Sequence, residues 1–466
     1  MTRLLTPLTL LAVLSVLSAR AAEPFPAIGT LAPRHAKDIP ASTWSIGGET
    51  LDRDFAVYAH YKSHLGPLGA KAIRLQAGWA KCEPTPGQPY DFKWLDAIVD
   101  DALAQGVRPW LQTSYGHPAY EGGGGHGLGG ALPKEPAALA AWDKWVTALV
   151  RHYRDRVTEW EIWNEPDLDR GHNSATDYTN LFVRTATILR AEQPGAKIYA
   201  LGLAGNFKFA EQFLAELKRL EKTSLMDAVT VHGYPRNPDD LGSVSNMRKM
   251  LDTYAPAAHV RQGETGAPSR NQPAFALSHI DFTETTQAKW NLRRMLAHHA
   301  RGVPFNLFSI IDMHYVRDGK PTMNCKGLLA SAPDQTVARV KPAYRAAQHV
   351  FTIFDADLHR APDLTITATG ADKVAATAYR RKEGTVIATW LAAAPPTDDP
   401  TPTPVTLTVT GATFTEPVLA DLLTGEVHAI PRDRWSADGN TATFTAIPVY
   451  DSPILIAERA ALPIGK

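Results

Sequence analysis

Three observations predict the fold class, an α/β chain made of a (β/α)8 TIM barrel with a C-terminal all-β, β-sandwich domain. Strand signals alternate with helix signals eight times, polar and acidic residues gather where those strands end, and near residue 355 the pattern changes to short alternating strands. A doubly wound open sheet alternates in the same way, but no Gly-x-Gly-x-x-Gly follows an early strand, which favours the barrel.

The elements follow in order. After an opening punctuated by Pro24, Pro26, Pro33 and Pro40, Thr43 to Ile46 reads as the first strand, and a helix fits Asp52 to Leu65. Ala72 to Leu75 is the second strand. The helix from Trp94 to Leu103 spaces Leu95, Ile98, Val99 and Ala102 three and four apart, which buries one face, and Gly106 ends it. Val107 to Thr113 is the third strand, and the run Gly122 to Gly130 lacks the strand-then-helix context of a phosphate cradle, so it reads as a loop. Helix Ala137 to Tyr153 leads to the fourth strand, Trp160 onward. Helix Tyr178 to Leu189 then precedes strand Lys197 to Leu203, and helix Phe209 to Leu220 precedes strand Ala228 to His232. Helix Val244 to Tyr254 precedes Val260 to Gly263, helix Thr283 to Ala300 precedes Phe305 to Ile311, and helix Pro342 to Phe354 closes the series. Beyond it, Thr365 to Thr369, Val374 to Arg380, Thr385 to Leu391, Val405 to Val409, Thr441 to Ala446 and Ser452 to Ala457 read as strands. The Pro/Thr-rich piece Ala394 to Pro404 lies between two of them and reads as a long hairpin loop.

Composition narrows the function classes. Lys plus Arg equals Asp plus Glu at 48 each, so no overall field recruits nucleic acid or an anionic membrane. Residues 1–21 read as a signal peptide: Arg3, a largely apolar run from Leu4 to Leu17, and Ala19-Arg20-Ala21 as a small-x-small cleavage site. A mature chain beginning near Ala22, secreted or periplasmic and without an integral membrane segment, is the expectation, with the barrel over 22–355 and the β-sandwich over 356–466. Only Cys82 and Cys325 are present, so disulfides are not the framework. Their two loops are expected at one barrel face, which leaves a bridge or two free thiols as alternatives.

Barrel enzymes carry their reacting groups at the carboxyl ends of strands. Trp160 to Pro166 places Asn164 and Glu165 there on strand four, and Glu264 ends strand seven. Arg74 and Trp79 fall near the end of strand two, Tyr115 and His117 at strand three, His232 and Tyr234 at strand six, and Asp312 and His314 at strand eight. A retaining glycosidase needs one neutral carboxyl group to protonate a leaving oxygen and one ionised carboxylate to attack, and Glu165 and Glu264 supply the pair. Taken alone, Asn-Glu-Pro is also a turn initiator and Glu264 between two glycines is also a loop acid. Trp79, Tyr115, Trp163 and His117 are candidates for sugar stacking or hydroxyl binding, with core packing as the plain alternative. His298 and His299 are adjacent on a helix and no His-x-x-x-His or Cys-x-x-Cys occurs, so no metal and no cofactor are expected.

Trp163-Asn164-Glu165-Pro166, Gly263-Glu264-Thr265-Gly266 and Ala72-Ile73-Arg74-Leu75 resemble the retaining glycoside hydrolases of clan A. The resemblance is closest to glycoside hydrolase family 39, the family of β-xylosidases and α-L-iduronidases. Gly78-Trp79 with Glu83-Pro84-x-x-Gly87-x-x-Tyr90-Asp91-Phe92, then Leu95-Asp96, is similar too. The resemblance covers Trp44 to Phe354, and the tail resembles the accessory β-sandwich. One departure is strand eight, Phe308-Ser309-Ile310-Ile311-Asp312, which lacks a tryptophan often found there. The resemblance implies Glu165 as acid/base, Glu264 as nucleophile, Asn164 on the sugar 2-hydroxyl and Tyr234 on the nucleophile. Arg74 is expected beside Glu264, and His232 in the same pocket. The expected activity is β-glycoside hydrolysis on a plant or microbial oligo- or polysaccharide. An endo-acting β-glucanase and a non-catalytic carbohydrate-binding barrel are the alternatives.

Overall fold

The computed structural model describes residues 25–168, 173–317 and 319–465. The signal-peptide expectation falls outside these residues. Eight parallel strands close into a barrel: β1 (Trp44–Gly47), β2 (Ala72–Gln76), β3 (Arg108–Thr113), β4 (Glu159–Ile162), β5 (Lys197–Leu203), β6 (Ala228–His232), β7 (His259–Thr265) and β8 (Phe305–Leu307). Each pairs with its neighbour in sequence and β8 returns to β1, with Trp44 opposite Phe305. Seven long helices cover the outside: α1 (Lys93–Ala104), α2 (Pro136–Tyr153), α3 (Ala175–Glu192), α4 (Phe207–Arg219), α5 (Gly242–Tyr254), α6 (Glu284–His299) and α7 (Pro342–Ile353). Among the described residues no helix is long and apolar enough to cross a membrane.

The packing follows from spacing. On α2, Trp142, Trp145, Val146, Leu149, Val150 and Tyr153 recur at three and four residues and are buried together against the barrel. A fully buried aromatic of this kind contributes several kcal/mol, so Trp145→Ala should cost about 3–5 kcal/mol. Inside the barrel the usual apolar layers are replaced. Trp110 and Tyr199 meet edge to face at 5.4 Å and form an aromatic floor with Arg261 over both rings. Above them stand Arg74, Gln112, Glu161 and Thr230, all buried and mutually hydrogen-bonded. Polar side chains on inward strand positions survive there because each finds a partner.

Three elements differ from the sequence reading. The helix expected over Asp52 to Leu65 is broken into short turns, Leu51–Arg53, Tyr58–Tyr61, Lys62–His64 and Leu65–Leu68, because Asp54 adopts a left-handed φ of 57°. That break lets Arg53 reach the side chain of Gln76 at 2.5 Å on the barrel mouth. After β8 the chain builds two hairpins, Met313–Arg317 with Lys320–Asn324, and Leu329–Ser331 with Val337–Val340. Their side chains are half in solvent, so no clean alternation announced them.

The third difference concerns the domain division. Ala27–Leu31, expected to precede the barrel as an irregular opening, is a strand of the β-domain, paired with Glu426–Ala429 and Ile464–Gly465. The described residues therefore start in the second domain and then enter the barrel. That domain stacks an eight-stranded and a four-stranded antiparallel sheet over a core including Ile387, Val405, Leu407, Phe444 and Ile456.

Candidate active site

Both acidic residues are aimed by local irregularities. β4 ends at Ile162, and left-handed backbone at Trp163 (φ 67°) and Glu165 (φ 52°) turns Glu165 over the mouth of the barrel. Its backbone N–H is held by the Gly202 carbonyl at 3.0 Å. On β7 the pairing slips by one residue: Val231 lies opposite Gln262, but His232 lies opposite Glu264. The extra residue is Gly263, where a Cβ would come within 2.8 Å of Thr230 Cβ, so only glycine permits the bulge that swings Glu264 inward. Gly202 plays a similar part beneath Glu165, since a Cβ there would approach Glu161, Arg74 and Asn164 within 3.2 to 3.4 Å.

Arg74, fully buried, is the hub. It donates to Glu161 Oε2 (2.8 Å), Glu49 Oε1 (2.7 Å), Glu264 Oε2 (3.1 Å) and Asn164 Oδ1 (2.8 Å). Its Nη2 also lies 3.3 Å from His232 Nε2. A guanidinium has no acceptor, so Nε2 of a neutral His232 is the lone-pair nitrogen and Nδ1 carries the proton. That N–H points at Glu165 Oε1, 2.6 Å away, with Glu264 Oε2 at 3.7 Å. Tyr234 donates its hydroxyl to Glu264 Oε1 at 2.6 Å. Asn164 donates through Nδ2 to the Tyr115 hydroxyl at 2.8 Å.

This wiring drives the two acids apart. Burial, helped by the nearby charges of Glu264 and Asp167, raises the pKa of Glu165 against the pull of His232. Glu264 is just as desolvated, yet His232, Arg74 and the Tyr234 hydroxyl outweigh burial and hold it below the ordinary carboxylate value. Glu49 shows what happens without such help. It has one oxygen on Arg74 and none on the other, and burial pushes it up to about 7. Glu165, His232 and Glu264 each present a potential metal-ligating atom, all within 4.8 Å of one another. In the neutral ring the His232 nitrogen facing both acids carries a proton, which suits an acid–base pair better than a metal cage.

The structure thus brings together Arg74, Tyr115, Asn164, Glu165, His232, Tyr234 and Glu264. Four other candidates lie elsewhere. Trp79 is fully buried, donates to Glu83 at 2.8 Å and stacks among Tyr120, Trp142 and Trp145, so it offers no face to a sugar. His117 is buried beside it, 2.6 Å from the Glu83 carbonyl. Trp163 packs on Trp142 and Tyr115. Asp312 is paired with Lys341 at 2.7 Å and accepts from the Gly327 N–H, which fixes the loop after β8. Cys82 and Cys325 are free and buried, the first donating to the Ala77 carbonyl and the second taking the Arg270 Nε–H, so the bridge alternative is overturned.

Residues that sequence reasoning passed over complete the mouth. Glu49 and Glu161 were hidden because an acid in or beside a strand carries no motif. Phe55, Phe275 and Tyr315 form a half-buried aromatic chain with centroids 4.7 and 4.8 Å apart. Lys326, buried, has its ammonium 5.3 Å from the Tyr234 ring centre.

Residues 79–264 match the model of the glycosyl hydrolases family 39. Over that segment the chain is similar to glycoside hydrolase family 39. A β-xylosidase from Geobacillus stearothermophilus is 25% identical over 209 residues, 42% of this chain, and the match spans 40% of that protein's length. Among solved structures, a family 39 glycoside hydrolase from Bacteroides cellulosilyticus WH2 superposes with a TM-score of 0.64 at 18% identity, over 92% of this chain and 83% of that one. A monomeric β-xylosidase from Caulobacter crescentus CB15 gives 0.62 at 18% identity, over 93% and 97%. These likenesses establish the same fold, a closed parallel barrel with antiparallel sheets. The matched segment begins at Trp79 and ends at Glu264, and so contains Glu165, His232 and Tyr234 but not Arg74.

Proposed function

We propose that this chain is a retaining glycosidase in which Glu165 is the acid/base and Glu264 the nucleophile. The observation that carries the reading is the opposed wiring of two acids that lie close together. Retaining enzymes hold their carboxyl groups about 5 to 5.5 Å apart, inverting ones about 6.5 to 9.5 Å. Oxygens of Glu165 and Glu264 within 4.8 Å fit the first class. In the first step the Glu264 carboxylate forms a bond to the anomeric carbon while the bond to the leaving oxygen breaks and takes the Glu165 proton. The glycosyl ester no longer carries the Glu264 charge, so the pKa of Glu165 falls and its carboxylate accepts a proton from water. The resulting hydroxide displaces Glu264 and frees the sugar. Asn164, whose amide nitrogen retains a second N–H beyond the Tyr115 bond, is suited to the sugar 2-hydroxyl.

The relatives named as β-xylosidases make an aryl β-xyloside the first substrate to try. One observation favours a second reading of specificity. Lys326 is buried, its ammonium faces the Tyr234 and Phe275 rings and makes no hydrogen bond among the described residues, and burial lowers its pKa to about 7. A carboxylate or sulfate on the sugar would supply the missing partner, so acidic glycosides belong in the same panel. Export from the cytoplasm, with cleavage after Ala21, is part of the proposal. The test is trapping with an activated 2-fluoro glycoside followed by peptide mapping: the label is expected on Glu264, and a label on any other residue overturns the role assignment.

A further inference from the structure

Helix α6 grips the loop 233–240, which leaves β6 and carries Tyr234. Trp290 donates to the carbonyls of Pro235 (3.2 Å) and Arg236 (3.3 Å). Arg294 donates to those of Gly233 (3.3 Å), Pro238 (3.2 Å) and Asp240. Arg293 pairs with the Asp239 carboxylate through Nε (3.2 Å) and Nη2. Trp290, Arg293 and Arg294 are all fully buried. The β-domain reaches the same loop. Trp390, on its strand Gly384–Leu391, donates the indole N–H to Asp239 Oδ1 at 3.0 Å, and the Ala394 carbonyl takes the Arg293 Nη1 at 2.8 Å.

The balance at Asp239 is what makes this contact consequential. Asp239 is the carboxylate that compensates Arg293, one of its oxygens taken by the guanidinium and the other by the indole. A buried guanidinium whose counter-ion is loosened is strongly destabilising, so the carboxylate cannot move freely without dragging its loop. Five residues away, the Tyr234 hydroxyl must stay at 2.6 Å from Glu264 Oε1 to help hold that carboxylate ionised. We propose that Trp390 is a positioning residue for the nucleophile: through Asp239 and Arg293 the β-domain fixes loop 233–240, and the fixed loop keeps the Tyr234 hydroxyl on Glu264. The inference rests on the reading of Glu264 as nucleophile. It also gives the β-domain a part in the chemistry, although among the described residues none of its side chains is hydrogen-bonded to Glu165 or Glu264.

The test uses the full chain and a dinitrophenyl glycoside, whose good leaving group makes the acid limb of kcat/KM report the ionisation of Glu264. The groups that face Glu264 are Arg74, His232, Tyr234, Glu165, Glu49, Tyr315 and Lys326, and only the Tyr234 contact is touched by this design. Trp390→Phe keeps a ring in the same space and deletes the donor. The acid limb is expected at higher pH with kcat/KM down about tenfold, the size of a small misplacement of a catalytic contact. Asp239→Asn, which keeps a carbonyl oxygen for the indole but discharges the partner of Arg293, should shift the limb the same way. Lys289→Met cuts the contacts of Lys289 with the Thr397 and Asp399 carbonyls and with Asp451. It should leave the limb in place. In a Tyr234→Phe background, Trp390→Phe should add no further shift. Folded Trp390→Phe and Asp239→Asn variants with an unmoved limb, or an additive shift in the Tyr234→Phe background, would overturn the relay. If Tyr234→Phe itself leaves the limb unmoved, or 2-fluoro labelling misses Glu264, the reading of the nucleophile fails instead.

Discussion

His232 donates through Nδ1 to Glu165 Oε1 at 2.6 Å, and this hydrogen bond opposes the burial that raises the Glu165 pKa. The sign of its removal follows. A donor to a carboxylate favours the ionised form, so His232→Ala should raise the pKa of Glu165 and move the basic limb of kcat/KM to higher pH. The same change slows deglycosylation, because less Glu165 is available as a base. A shift of one unit corresponds to about tenfold in the fraction ionised at a given pH, which pH–rate profiles on an activated and a poor substrate will read.

Arg74 compensates three carboxylates at once, the buried ones of Glu49 and Glu161 and the half-buried one of Glu264. Removing one partner of a buried ion pair costs about 3–5 kcal/mol, so Arg74→Met should lower the thermal midpoint by many degrees and abolish turnover. Arg74→Lys retains the charge but cannot hold four acceptors in a planar fork. It should fold and still lose most activity, whereas wild-type rates in Arg74→Lys would show that the fork is not needed.

Glu49 offers a stability test with a definite direction. Its pKa is raised from 4.5 to about 7, so its contribution is fully present below the lower value and is lost as pH rises through the upper one. Glu49→Gln cannot ionise. Thermal unfolding of both proteins at about pH 5 and about pH 8 should show the variant gaining on the wild type at the higher pH. A stability difference that does not move in the variant's favour between the two pH values contradicts the burial of Glu49 beside Glu264.

Much of this arrangement is legible in the sequence, and for a physical reason. Strands such as Ala72–Gln76, buried on both faces, and helices such as Pro136–Tyr153 leave periods that one chain reveals on its own. Glu165 and Glu264 stand out because each sits beside residues that special backbone geometry demands, proline after one and glycines around the other. What escapes is tertiary in origin. Trp79 looked like a sugar platform, but whether an indole faces a cleft or Trp142 and Trp145 is decided by α2, far along the chain. Ala27–Leu31 becomes a strand only because residues near 427 and 464 pair with it, and no local pattern encodes partners that distant. Glu49 is noticed only once Arg74 is seen to share itself between it and Glu264.

Lys326 supplies a prediction about specificity. If its ammonium meets an anionic substituent, Lys326→Met should lower kcat/KM on an aryl β-glucuronide or a sulfated aryl glycoside by about tenfold to a hundredfold, with little change on the aryl β-xyloside. The carboxylate and sulfate substrates separate the two anion chemistries. Equal effects on charged and neutral glycosides would assign Lys326 to the field around Glu264 alone.

The central claim is that Glu165 gives and then takes the proton while Glu264 holds the sugar. The most direct measurement is turnover of Glu165→Ala on a dinitrophenyl glycoside with and without azide. Without azide the glycosyl-enzyme should form quickly and then stall, since no base activates water. Azide, which needs no base, should restore turnover and give a glycosyl azide of retained configuration. A natural disaccharide should stay uncleaved in either case. An azide of inverted configuration, or equal losses on activated and natural substrates, would mean that the two carboxylates do not have these roles.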